Sequence, residues 1–107
     1  MDKEMEEKVK KYFDMLDVEK KGGLNMLQSA ELLAWCNYSF CIEEDFDKMR
    51  EEAKRWNPDL PKNEQADCFN EVWPVFWNDG KVDKNGNGII EIDEFIKAVA
   101  EMMAKAN

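Results

Sequence analysis

An all-α fold of helices separated by loops is expected for this chain, and three observations lead there. Apolar residues recur at spacings of three and four along Met5, Val9, Tyr12, Phe13 and Leu16, and again along Phe46, Met49, Ala53 and Trp56. Such spacing lines up side chains on one face of a helix with 3.6 residues per turn. Between the helical stretches lie segments rich in Gly, Asn, Asp and Pro, which interrupt regular structure. The length of 107 residues suits one domain with a modest core.

In chain order, residues 2–16 read as an amphipathic helix, with Lys and Glu on the face away from the apolar stripe. A polar loop over 17–28 follows. Ser29 to about Tyr38 reads as the next helix, offering Leu32, Leu33, Trp35 and Cys36 to the core. Residues 43–56 form a third helical pattern, opened by Glu43, Glu44 and Asp45 and closed by Lys54 and Arg55, the charge order that suits a helix dipole. Asn57-Pro58-Asp59-Leu60-Pro61 breaks the chain. Residues 63–78 then place Ala66, Phe69, Trp73, Phe76 and Trp77 on an aromatic face, with Pro74 expected to kink or divide the helix by removing a donor. The last helix, from about Asp93 to Ala104, presents Ile92, Phe95, Ile96, Val99, Met102 and Met103.

The stretch Asp83-Lys84-Asn85-Gly86-Asn87-Gly88-Ile89-Ile90-Glu91-Ile92-Asp93-Glu94 carries the chemistry. It offers side-chain oxygens at its first, third, fifth, ninth and twelfth positions and a glycine, Gly88, at its sixth, where a sharp turn disfavours a side chain. Ca²⁺ is a hard ion that takes six to eight oxygens at roughly 2.3–2.6 Å. The stretch fits D-x-[DN]-x-[DN]-G-x₅-E without departure and so resembles the calcium-binding loop of the EF-hand superfamily. The resemblance implies single oxygens from Asp83, Asn85 and Asn87, the backbone carbonyl of Ile89, Glu91 directly or through water, and both carboxylate oxygens of Glu94. It also implies that Ile90 pairs with a partner loop in a short two-stranded ribbon, and that Mg²⁺ competes when Glu94 rotates to give one oxygen.

The segment Asp17-Val18-Glu19-Lys20-Lys21-Gly22-Gly23-Leu24-Asn25-Met26-Leu27-Gln28 keeps the frame of the same loop, with Asp17 first, Gly22 sixth and Leu24 eighth. Its chemistry departs from the family. Lys21 puts an ammonium where an oxygen belongs, and the neutral Gln28 replaces the closing carboxylate. A degenerate hand is expected, pairing Leu24 with Ile90 as structural partner of the second loop. Asp83 follows Asp17 by 66 residues, more than adjacent hands usually allow. An inserted helix accounts for the excess. A vestigial middle hand over 57–68 is the alternative, with Lys62 in place of glycine and Cys68 in place of Glu. The expected layout is a single EF-hand-pair domain over 1–107: a degenerate hand at about 2–39, an inserted helix at about 42–57 and a calcium-binding hand at about 63–105. The aromatic approach to the second loop is similar to the sarcoplasmic calcium-binding and calexcitin-like branches over about residues 64–96. The same similarity allows the chain to be half of a larger four-hand protein.

Composition narrows the function classes. Twenty-four acidic against fifteen basic residues give a net charge of −9, which disfavours nucleic-acid backbones and anionic membranes. Three cysteines, Cys36, Cys41 and Cys68, without any histidine argue against a Cys/His zinc site and for free thiols in a reducing compartment. The first residues carry no apolar signal core, and Asp2 occupies the place where N-myristoylation needs glycine. A cytoplasmic, monomeric protein without a membrane anchor is expected. No catalytic constellation is present: there is no Ser/His or Cys/His pairing and no Gly-rich phosphate loop. Three roles follow for the calcium loop: a sensor that captures an amphipathic helix of a target protein, a buffer, or a structural module completed by metal. Seven methionines bear on that choice. Met26, Met49, Met102 and Met103 either line an adaptable binding groove or fill core gaps.

Overall fold

The computed structural model describes residues 2–106, with side chains described through residue 104. Helix α1 spans Lys3–Leu16. The Asp2 carboxylate accepts from the Met5 N–H at 2.9 Å, and Glu4 and Glu6 sit in the first turn, so the free N–H groups and the positive dipole end are both answered. Val9, Tyr12 and Phe13 form its buried face.

Helix α2 spans Met26–Cys41, longer than the expected Ser29–Tyr38 at both ends. Its early start has a local cause. The Asn25 side chain accepts from the Gln28 N–H at 2.8 Å, while Gln28 Oε1 accepts from the Asn25 N–H at 3.0 Å. This reciprocal capping box turns the last residues of the first loop into the first turn of the helix.

Helix α3 spans only Phe46–Ala53, shorter than the expected 43–56. Asp45 caps it, and Glu44 is drawn away toward Tyr12 and Lys11. At its other end Lys54, Arg55 and Trp56 close turns onto the carbonyls three residues back rather than continuing the α ladder.

The segment that follows makes one 3₁₀ turn at Lys62–Glu64, held by Gln65, whose amide donates to the Asn57 and Leu60 carbonyls at 3.1 and 2.9 Å. Helix α4 therefore starts at Asp67 rather than 63 and ends at Trp77. Pro74 does not divide it. The helix continues through Pro74, which is exposed, so its missing donor lies on the water-facing side. Asn78, Asp79 and Gly80 then take three successive left-handed conformations, which turn the chain sharply into the second loop. Helix α5 spans Ile92–Ala106.

Strands β1 (Gly23–Leu24) and β2 (Ile90–Glu91) pair antiparallel, with Leu24 opposite Ile90 as expected and Gly23 opposite Glu91. Leu24 and Ile90 are almost wholly buried, so the ribbon is fixed by its own apolar pair. Gly23 is required there for space. A Cβ at that position would overlap the Ile89 side chain and lie 3.2 Å from the Ile90 carbonyl. Gly23→Ala is expected to destabilise the fold by about 1–3 kcal/mol, read as a lower urea midpoint with an unchanged slope.

The core joins both halves. Tyr12, Trp35 and Phe46 meet edge to face with ring centroids 5.8–5.9 Å apart, the geometry aromatic quadrupoles prefer. Phe76 and Phe95 link α4 to the start of α5 at 5.1 Å. Met49 is fully buried and fills the core. Met102 and Met103 are half-buried against it, and Met26 is exposed. Of the four methionines considered for a groove, Met49 is thus removed. The three cysteines are free thiols, Cys36 buried and the other two exposed. Among the described residues no helix is long and apolar enough to cross a membrane.

Tyr12 and Glu44 tie α1 to the segment before α3 through a 2.6 Å hydrogen bond. Burial, reinforced by this bond, pushes the Tyr12 phenol from its ordinary 10 up to about 12. The neutral phenol is the form the fold favours, so its contribution is intact below pH 10 and lost as pH rises through about 12. The Tyr12 O–H, with Lys11, holds the Glu44 carboxyl below its usual range. That contribution is present above the ordinary carboxylate pKa and disappears as pH falls through the depressed value. A spectrophotometric titration is expected to find Tyr12 ionising near 12. Glu44→Gln should lower that value only part of the way, because burial remains.

Candidate metal centre

The loop 83–94 is a set of oxygens pinned by its own backbone. Asp83 Oδ2 accepts from the Gly88 N–H at 2.7 Å, drawing the first and sixth positions together. Gly88 has φ of +78°, so the glycine at that turn is conformationally required. Asn87 Oδ1 accepts from the Ile89 N–H at 2.9 Å, and Asn85 Nδ2 donates to Glu91 Oε1 at 3.1 Å. Glu94 reaches back from the first turn of α5. Its Oε2 accepts from the Lys84 N–H and its Oε1 from the Glu91 N–H, both at 2.9 Å. A carboxylate oxygen has two lone-pair sites, so each still has acceptor capacity. Ile89 is half-buried, with its side chain against Gly23 of the other loop.

One atom in this set is unanswered. Asp83 Oδ1 is buried and has no hydrogen-bond partner among the described residues. Ser29 Oγ and Trp35 Nε1 share that condition, but both are neutral groups. Asp83 carries charge, and a buried charged oxygen without a partner is costly. A cation held between Asp83 and the neighbouring oxygens would satisfy it, so the donor chemistry fits a hard divalent ion.

The loop 17–28 supplies an internal comparison. Asp17 Oδ2 accepts from the Gly22 N–H at 2.9 Å, the counterpart of the Gly88–Asp83 bond. Its Oδ1 accepts from the Lys21 N–H at 3.0 Å, so both of its oxygens are answered by backbone. Gln28 occupies the place of Glu94 and likewise accepts from the residue three before it. Its amide nitrogen instead donates to the Leu16 carbonyl at 3.1 Å. Lys21 pairs with Glu19 at 2.6 Å, and that carboxylate raises the Lys21 ammonium above its usual range. The first loop closes on its own amide and ammonium, whereas the second leaves a charged oxygen uncompensated.

Of the residues expected to form the site, hydrogen bonds join Asn85 and Glu94 to Glu91, whereas Asp83 accepts from the Gly88 N–H and Asn87 from the Ile89 N–H. Among the described residues no three His, Cys, Asp or Glu side chains gather into a metal-holding cluster. The donor set in this loop is spread over carboxylates, amides and one carbonyl. The motif did not draw attention to the lysines on its flank. Lys97 of α5 stands beside Lys84 and lowers its ammonium pKa below the usual range. The signal in the sequence was a Lys at the second loop position and another three residues beyond Glu94, which α5 places side by side. No protein-family model, curated protein or solved structure matches the chain.

Proposed function

We propose that the chain binds one Ca²⁺ through Asp83, Asn85, Asn87, the Ile89 carbonyl, Glu91 and Glu94, and acts as a calcium-dependent modulator. On this reading the molecule is a pair of EF-hands in which 17–28 is the metal-free partner of 83–94. The observation that carries the proposal is the buried, unanswered Asp83 Oδ1 inside a loop with the full oxygen pattern. The paired loops support it, because the ribbon fixes the second loop in register against the first.

Binding would relieve the mutual repulsion of Asp83, Glu91 and Glu94. Glu94 would then tighten on the ion and carry the first turn of α5 with it. The next residue, Phe95, is fully buried against Phe76, and Phe76 lies 5.7 Å from Trp73. Trp73 in turn stacks on Trp77 at 5.4 Å. A shift of α5 is therefore transmitted to two half-buried tryptophans. No catalytic role is assigned. The proposed partner is an amphipathic helix that occupies apolar surface uncovered as α5 moves.

A calorimetric Ca²⁺ titration paired with tryptophan emission tests this. One site with an emission shift is expected. One site with unchanged emission favours a buffer over a modulator, and absence of binding overturns the proposal.

A further inference from the structure

A pocket of about 210 Å³ lies between the end of α4, the turn that follows it and the outer face of α5. Its walls are of two kinds. Phe76 and Val82 on one side and Ala98 and Met102 on the other give an apolar floor, while Lys81, Lys84 and Lys97 reach its surface from three separate positions. Their gathering runs against the rest of the molecule. The chain has a net charge of −9, and several of its other cations pair with carboxylates: Lys10 with Glu6, Lys11 with Glu44, Lys20 with Asp14, Lys21 with Glu19, Arg50 with Asp47 and Lys54 with Glu51. Among the described residues, none of the three pocket lysines forms an ion pair. Lys84 from the loop and Lys97 from α5 both line this one pocket, with Lys81 beside them in the lining. Like charges gathered around one pocket repel, and an anion placed among them relieves that repulsion. Glu94 and Glu101 also line the pocket. They moderate its positive charge without closing on the lysines.

We propose that this pocket binds a small amphipathic carboxylate, with Lys81, Lys84 and Lys97 holding its charged head and the Phe76–Met102 floor taking its apolar tail. The volume equals that of about seven water molecules in the liquid, which suits a short chain or a single ring rather than a long lipid. The lysines favour an anion over a cation. The apolar floor separates such a ligand from free inorganic anions, which have nothing to place there.

The pocket shares two residues, Lys84 and Glu94, with the loop of the metal reading. Glu94 belongs both to the pocket wall and to the proposed calcium loop. An ion that neutralises Glu94 makes the pocket more positive, so calcium and carboxylate should strengthen each other's binding by the same factor. That coupling rests on the calcium proposal, whereas the pocket itself does not.

Octanoate is the probe, used below its micelle concentration and followed by methyl NMR shifts of Val82 and Met102. In metal-free protein, octanoate is expected to shift these methyls saturably, and octanol, with the same tail and no charge, to bind at least tenfold more weakly. The double variant Lys81→Gln with Lys97→Gln changes only exposed side chains. It is expected to lose octanoate affinity at least tenfold while keeping a native spectrum. Equal binding of octanol, unchanged affinity in the double variant, or shifts centred elsewhere would each overturn the proposal. Calcium affinity is measured separately on the same samples. A protein that binds octanoate but no calcium therefore sinks only the metal reading, and the reverse sinks only the pocket.

Discussion

Replacing Glu94 with glutamine is expected to lower Ca²⁺ affinity about 100-fold or more, equivalent to about 2.7 kcal/mol, with little damage to the fold. The first loop already shows how glutamine behaves at this position. Gln28 keeps the backbone bond from the residue three before it through Oε1 and turns its amide nitrogen onto the Leu16 carbonyl. A glutamine at 94 can do the same toward Glu91. It loses the bond from the Lys84 N–H, because an amide nitrogen donates and cannot accept. That loss is about 1 kcal/mol for a partly exposed hydrogen bond, a shift of a few degrees in Tm. The loss in metal binding is larger, since one full charge and one of two ligand oxygens go together. Calorimetry alongside a thermal melt separates the two effects. Intact affinity in a folded E94Q protein would remove Glu94 from the site.

The helical pattern and the ribbon were legible in the sequence because each rests on local periodicity or loop frame. Leu24 opposite Ile90 follows from the eighth position of two similar loops, and the structure has that register. Boundaries were less legible, and each miss has a cause outside the local pattern. The start of α2 at Met26 depends on a reciprocal Asn25–Gln28 bond, which the loop frame, with Gln28 at its closing position, does not encode. The short α3 depends on Glu44 leaving its helical neighbours for Tyr12, a residue 32 positions away. The candidate ligands could be named from spacing alone. The unanswered Asp83 Oδ1 could not, because whether an oxygen finds a partner depends on how the backbone closes around it. The lysine pocket needs α4 and α5 side by side, which the loop motif does not encode.

The same comparison of loops leads to the second large effect. Lys21→Asp together with Gln28→Glu is expected to raise the stoichiometry of calcium binding from one to two. Lys21 now neutralises Glu19 from within the loop, and its removal frees Glu19 as a third-position ligand while Asp supplies the fifth. Glutamate at 28 restores the closing carboxylate and gives up the amide bond to Leu16. The sixth-position turn needs no change, since Gly22 has φ of +81° beside +78° at Gly88. The exchange removes one positive and adds two negative charges in a chain already at −9, so the metal-free variant should be less stable than the parent and regain stability on loading, as the logarithm of ligand concentration over Kd. Because the two loops share the Leu24–Ile90 pair, loading one should favour the other, and the titration should be cooperative. Either substitution alone leaves the first loop short of a ligand, so each single variant should keep a stoichiometry of one. A folded double variant that still binds one ion would place the first loop's limit in Asp17, whose two oxygens are both held by backbone N–H groups, rather than in the ammonium and amide at its fifth and twelfth positions.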